Sequence, residues 1–247
     1  MPIDRSIFFD RVRQKPFGGS LSQPQVDGQN AILDEWERNY EPNNSDLRWL
    51  AYPLATTYHE TSQTMQPIEE YGKGSGQPYG KPDPETGQTY YGRGFVQLTW
   101  RENYARADKE LRLRGARSCE WHAENALKLA IASDVMFLGM AEGWFRSDSK
   151  GAQTLLRYFN ATTNDAFNAR EIINGDRNTV PSWSNGVSIG NLIKGYHQSF
   201  MDALVEAYYE NVLPPAPDEV EAIVTINVTV DAPPGVRVAI VVNTPET

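Results

Sequence analysis

His59-Glu60-Thr61 and, about ten residues on, Glu69-Glu70 are the residues whose types and spacing could move protons. A zinc-protease reading of the first group fails at once, because it needs a second histidine at position 63, which is Gln63. The carboxylate reading is better. A glutamate at a helix C-terminus feels the negative end of the dipole, and partial burial disfavours its charge further, the direction a general acid needs. A solvated helix-end glutamate is the ordinary alternative. A second carboxylate across a gap would complete the pair used in glycosidic bond hydrolysis, where one group protonates the leaving oxygen and the other activates water. Asp83 and Glu85, in a Pro- and Gly-rich turn, read as a solvated turn that could also reach a cleft.

The run over residues 90–104, YYGRGFVQLTWRENY, is the most informative stretch. It passes from a glycine-bracketed turn through a short apolar segment to a helix start. Gln97, Thr99 and Asn103 place neutral donors and acceptors between aromatic rings, the mixture that binds sugars by hydrogen bonds and stacking. Phe95, Val96 and Leu98 equally suit a core, and the two readings are compatible.

Those groups need elements to hold them. Leu47, Leu50, Ala51, Leu54 and Tyr58 form one helical stripe, from which Glu60 points away. Ile7, Phe8, Phe9 and Val12 predict an entry helix, and Ser22 suits the cap of a helix over 24–40. Helical patterns resume at 102–113, 123–140, 151–158 and 189–209. Residues 67–94 are rich in Gly, Pro and Tyr without periodicity, so the segment is either functional or disordered, and its tyrosines argue against disorder. Pro214-Pro215-Ala216-Pro217 marks a linker. Beyond it, alternation of Val224, Ile226, Val228 and Val230 with polar residues predicts a β-hairpin. Alone, a hairpin is marginal in water, so this one should dock on the body, on a second copy or on another partner. The organisation expected is a helical domain over 1–213 and an appendage over 214–247.

Composition narrows the function classes. The chain has 247 residues and a formal net charge of −9, which argues against a broad nucleic-acid footprint. Cys119 is the single cysteine, so neither an intrachain disulfide nor a cysteine-based zinc site can form. There is no apolar run of membrane-spanning length, and Asp4, Asp10 and three arginines interrupt the opening 14 residues, so no signal peptide is expected. His122 and His197 stand alone and read as structural. GKGSG at 72–76 has neither the spacing nor the preceding strand of a dinucleotide site. No metal and no cofactor are expected.

Taken together, HET at 59–61, MQPIEEYG at 65–72, YYGRGFVQLTWRENY at 90–104 and Ile172-Ile173-Asn174-Gly175 resemble the family 19 glycoside hydrolases, which include plant-type chitinases and lysozyme-like endolysins. The resemblance covers about residues 6–210, and the opening FGGSLSQPQVDGQNAILDEW is similar to the phage and bacterial branch, whose substrate is peptidoglycan. It implies a mainly α, lysozyme-like, two-lobed domain with a cleft. It implies that Glu60 is the general acid, Glu70 the general base and Thr99 the residue holding the attacking water. Substrate contacts would come from His59, Tyr91, Arg93, Gln97, Asn103 and Asn174. The family inverts at the anomeric carbon, with its carboxylates about 6.5–9.5 Å apart to admit water. Three features depart from the pattern: a short connection between Glu60 and Glu70, Asp176-Arg177 where a second glycine is usual, and no counterpart to the family's disulfides.

The expectation is therefore hydrolysis of β-1,4 bonds in peptidoglycan by a protein made in the cytoplasm and acting on the cell wall, as an endolysin or a virion-borne enzyme. Two alternatives stay open: a chitinase proper, and a non-catalytic wall-binding or virion-structural protein. Residues 214–247 would serve self-association or attachment to a virion partner.

Overall fold

A computed structural model describes residues 3–42 and 46–209. The chain divides into a unit Met1–Leu213 and a unit Pro214–Thr247. The hairpin expected in the second unit, with its docking role, lies outside the described residues.

The first unit is mainly helical. Its elements are α1 (Arg5–Gln14), α2 (Gln23–Glu35), α3 (Arg48–Glu60), β1 (Ile68–Glu69), β2 (Arg93–Gly94), α4 (Arg101–Glu110), α5 (Leu129–Glu142), β3 (Ser147–Asp148), β4 (Gly151–Ala152), α6 (Leu155–Tyr158) and α7 (Ile189–Tyr209). Helix α2 starts where Ser22 and Gln25 form a reciprocal capping box, and it runs on into a π-helical turn over Trp36–Tyr40. The strands make two separate antiparallel pairs, β1 with β2 and β3 with β4.

Helix α3 is the centre of the unit, packed on α7 and α2, with α1 closing over α7 and α5 over α2. The stripe predicted from Leu47 to Tyr58 is buried, but so is the rest of the helix from Leu50 to Tyr58. A one-sided pattern understates it, because Tyr52, Thr56 and Thr57 fill positions a surface helix would give to solvent. Burial of side chains such as Leu50, Leu54 and Phe200 stabilises the unit by about 1.5–3 kcal/mol each. Glu60 thus sits at the end of its most constrained element.

Two expected helices differ. The pattern over 123–140 is broken at Lys128, which is extended, leaving a 3-10 turn over Ala123–Leu127 ahead of α5. Over 151–158, Gly151 and Ala152 form β4 instead. There the glycine takes a left-handed φ of 112°, and the Thr154 side chain caps the Arg157 amide, so the helix starts only at Leu155.

Helices α2 and α5 meet at a carboxylate pair. Glu35 is buried and accepts from Asn39 Nδ2 at 2.8 Å, and it pairs with Arg38, which also reaches Asp134 of α5 at 3.2 Å. Burial, reinforced by Glu35, pushes the Asp134 carboxyl up to about 7. Elsewhere His197 of α7 is stacked on Phe159 at 5.3 Å, and burial, reinforced by the Arg48 charge, pushes its imidazole down to about 4. The two act in opposite directions. Between about pH 4 and 7 the folded state holds more protons than the unfolded chain at Asp134, so that group's contribution falls as pH rises. Between about pH 4 and 6.5 the unfolded chain holds more at His197, so that contribution rises. Asp134→Asn should therefore gain thermal stability relative to wild type as pH is raised from 4, levelling off above about 7. Melting temperatures of both proteins across pH 4–8 check this, and a pH-independent difference would refute it.

Candidate active site

The site is built in two parts, one at each end of the segment that leaves α3. Thr61, which follows Glu60, is buried. Its hydroxyl donates to the Thr57 carbonyl at 2.7 Å and accepts from the Met65 amide at 3.0 Å. This ties the turn to the helix end. Gly28 of α2 lets the turn approach closely, since a Cβ there would lie 1.7 Å from the Met65 carbonyl oxygen. The turn leads to β1 and then to Glu70.

At the helix end, Glu60 is paired with Arg170, carried by the 3-10 turn Asn168–Ile172. The Arg170 side chain is 3% exposed, that of Glu60 18%. Arg170 also donates from Nε and an Nη to the two oxygens of Asp176, at 2.6 and 3.0 Å. Burial works against the guanidinium charge, and Asp176 and Glu60 outweigh it. Burial likewise raises Asp176, but Arg170 prevails and holds it below the usual carboxylate range. Asn174 is exposed and donates to Asp176 at 3.1 Å. His59 lies beside Glu60, and burial is the main cause that holds its imidazole below the ordinary histidine value. The structure thus gathers His59, Glu60 and Asn174. It adds Arg170 and Asp176, a cation and a carboxylate that neither the helix dipole nor burial at the helix end announces. A signal existed: an arginine four residues before Asn174, in a segment with few exposed positions, needs buried carboxylate partners.

The second part forms where β1 meets β2, with Glu69 opposite Arg93 and Ile68 opposite Gly94. The two neighbouring glutamates separate. Glu69 takes Lys73 at 2.8 Å and the Tyr91 hydroxyl, which together hold its carboxyl below the ordinary range. Glu70 accepts the Gly92 amide at 3.0 Å and the Tyr79 hydroxyl at 3.3 Å, while its own amide donates to the Gly92 carbonyl at 2.7 Å. The chain then doubles back, with Arg93 and Leu98 exchanging backbone hydrogen bonds. That reversal holds Gln97 and Trp100 at φ of 55° and 74°. Left-handed backbone at such residues costs of order 1–3 kcal/mol each and concentrates at functional sites.

Gly92 is where this part closes. A Cβ there would stand 2.7 Å from Gln97 Oε1 and 3.3 Å from Thr99 Oγ1. The residue that donates to Glu70 is therefore packed against Gln97 and Thr99. Gln97 Nε2 reaches the Ile68 carbonyl at 3.3 Å, Thr99 Oγ1 donates to the Gln97 carbonyl at 2.8 Å, and Asn103 Nδ2 holds the Thr99 carbonyl at 2.7 Å. Glu70, Gln97, Thr99 and Asn103 are brought together. Tyr91 and Arg93 are used differently. Both are buried, and the Arg93 guanidinium lies 3.6 Å from the Tyr91 ring centroid and donates to Thr89, Tyr91 and Tyr104. They brace the loop from inside. Tyr79, whose ring meets Trp100 edge-on at 4.9 Å, was not foreseen beside Glu70. Asp83 accepts from the Glu85 and Thr86 amides and pairs with Arg101, which makes it a turn anchor.

No group of three or more His, Cys, Asp or Glu side chains suited to a metal occurs among the described residues. No described helix is long and apolar enough to cross a membrane.

Solved structures that resemble the chain include two that align over 82% of its length and 76% of theirs. Chitinase C from Streptomyces griseus HUT6037 aligns with a TM-score of 0.51 at 22% identity. A mutant of chitinase C aligns with a TM-score of 0.54 at 19% identity. No protein-family model and no curated protein matches the chain. The fold is therefore the mainly helical, lysozyme-like fold of these chitinases, with two small antiparallel strand pairs.

Gly92→Ala tests how the second part is closed. The added methyl must displace Gln97 and Thr99 or the Glu70 contact. Hydrolysis of a glycan substrate should drop at least tenfold while the melting temperature falls by only a few degrees, of the order expected for local overpacking. Unchanged turnover in a folded variant would show that the contact does not matter.

Proposed function

We propose that this chain is an inverting glycoside hydrolase acting on β-1,4-linked amino-sugar polymers, with peptidoglycan as its substrate. The observation that carries the reading is the pair of supported carboxylates at the two ends of one tied turn. Glu60 is held by Arg170, and Glu70 is held by Gly92 and Tyr79 with Thr99 packed beside them. The chitinase-like fold supports the same class of chemistry.

In this mechanism Glu60 delivers its proton to the glycosidic oxygen as that bond breaks. The carboxylate left behind is stabilised by the guanidinium already against it. Thr99 orients a water and Glu70 takes its proton, so that the water oxygen bonds to the anomeric carbon on the face opposite the leaving group. His59 and Asn174 beside Glu60, and Gln97 and Asn103 beside Glu70, hold the sugar hydroxyls and acetamides. Peptidoglycan is preferred on the resemblance of the opening segment and on the short connection between the two carboxylates. Chitin is the second reading, favoured by the solved structures that share the fold. A wall-binding role without catalysis would leave the two supported carboxylates without a purpose.

Glu60→Gln and Glu70→Gln should each lower turnover by about 10²–10⁴-fold, the usual worth of one general acid or base. Arg170 keeps its two bonds to Asp176, so Glu60→Gln should stay folded. Reducing ends released from purified sacculi and from chitin oligomers, followed in parallel, check both the activity and the preference. Wild-type protein that binds sacculi without releasing reducing ends would overturn the hydrolase reading. NMR of the first product should show the α-anomer, and a β-anomer would exclude inversion.

A further inference from the structure

The loop between Glu70 and Tyr90, with the start of α4, walls a cavity of about 350 Å³. Its apolar lining is Pro78, Tyr79, Pro82, Pro84, Tyr90 and Trp100. Tyr79 belongs to two places at once: it lines this cavity, and its hydroxyl donates to Glu70 at 3.3 Å. An occupant of the cavity is therefore one side chain away from that carboxylate.

The wall is held in shape. The Tyr90 amide donates to the Tyr79 carbonyl and the Trp100 amide to the Tyr90 carbonyl, both at 2.9 Å, so the three aromatic residues are tied in series. Trp100 sits at φ 74° and ψ 138°, a backbone region that suits glycine far better than a bulky side chain. Core packing does not offset that strain, because Trp100 is 46% exposed. The fold thus holds a strained tryptophan at the edge of a cavity, half in solvent.

The charges around the cavity divide into two sets. Arg101 is answered within the fold, by Asp83 at 3.2 Å and by Glu85 and Glu120 at 2.8 Å each. Lys81 and Glu102 also line the cavity and are exposed, and their side chains have no ion-pair or hydrogen-bond partner among the described residues. Glu102 lies in the first turn of α4, where the helix dipole favours its ionised form. The site therefore combines proline and aromatic walls with one unanswered cation and one unanswered anion. A chain of N-acetylglucosamine is uncharged and would answer neither. A short peptide bearing methyl groups, carboxylates and an amine would answer both and cover the apolar wall as well. Peptidoglycan carries such a peptide on every second sugar, as a lactyl-linked stem that contains alanine, an acidic residue and a diamino acid. The volume falls in the range of about 300–1,000 Å³ typical of small-ligand sites, enough for part of a stem and too little for a folded partner.

We propose that this cavity holds the peptide stem of a muramyl residue seated beside Glu70. Lys81 pairs with a stem carboxylate, Glu102 pairs with the amine of the diamino acid, and Trp100 and the prolines cover the methyl groups. Binding of the stem selects stem-bearing glycan over chitin. The inference rests on the hydrolase reading for the muramyl residue, and on the walls and charges of the cavity for the binding.

Two measurements separate the two claims. The first is an NMR titration of the full chain with the stem tripeptide L-alanyl-γ-D-glutamyl-meso-diaminopimelate, following the indole N–H signal that disappears in Trp100→Phe. That signal should shift saturably with the tripeptide and stay still with tri-N-acetylchitotriose. The second compares reducing ends released from intact sacculi with those released from sacculi whose stems an amidase has removed. Lys81→Glu and Glu102→Gln should each raise KM on intact sacculi about two- to fivefold, the range of one exposed ion pair, with kcat little changed. Neither should alter KM on the stripped strands, and Lys81→Arg should behave as wild type. An indole that shifts with the tripeptide in a protein that cleaves no glycan would support the stem site and reject the hydrolase. An active enzyme whose variants keep the wild-type KM on intact sacculi would reject the stem site and leave the hydrolase standing. A titration in which chitotriose moves the indole signal and the tripeptide does not would also overturn the stem site.

Discussion

A guanidinium buried to 3% exposure is stable only when its charge is answered at close range, and Arg170 is answered from two directions. Asp176 takes two of its nitrogens in a fork and Glu60 takes a third. The fork fixes the plane of the guanidinium, and the plane fixes where the remaining nitrogen points. Glu60, at the end of a helix buried from Leu50 to Tyr58, cannot slide to meet it. The helix, the 3-10 turn and the loop opening at Asp176 are thereby set relative to one another by a single cation.

The Glu70 end is organised by hydrogen bonding and contact, without a buried cation at its centre. Glu70 is positioned through the backbone of Gly92, which leaves no room for a side chain, and Thr99 arrives beside it only because the chain reverses between Arg93 and Leu98. Arg93 serves that reversal from beneath, filling the space under Tyr91 and satisfying carbonyls the turn would otherwise leave bare. The two carboxylates therefore differ in how they tolerate change. One depends on charge balance, the other on a packing gap smaller than a methyl group.

Much of this was legible in the order of residues. Helices α1, α2, α3 and α7 follow from apolar spacing and caps because their signals are local, and the glycine-bracketed turn and helix start over 90–104 are likewise read from neighbouring residues. What escaped was non-local. Arg170 is 110 residues from Glu60, and no periodicity announces the pairing. Tyr91 and Arg93 sit in the most suggestive motif, yet their side chains turn inward, because motif membership does not say which face of a reversed loop a residue takes. Of the strand residues only Gly151 and Ala152 fall in the stretch 151–158 whose spacing suggests helix, because two residues carry no alternation long enough to detect, and one left-handed glycine decides the outcome.

The contact between Gly28 and Met65 has a mechanical consequence. The turn that spaces the two carboxylates rests directly on the backbone of α2, with no side chain between them to absorb movement. Helix α2 is held in turn by α5, across the joint where Glu35, Arg38 and Asp134 meet. Slackening of that distant joint would thus be transmitted as a displacement of the turn, making the spacing of Glu60 and Glu70 sensitive to the proton occupancy of a helix interface that touches neither of them.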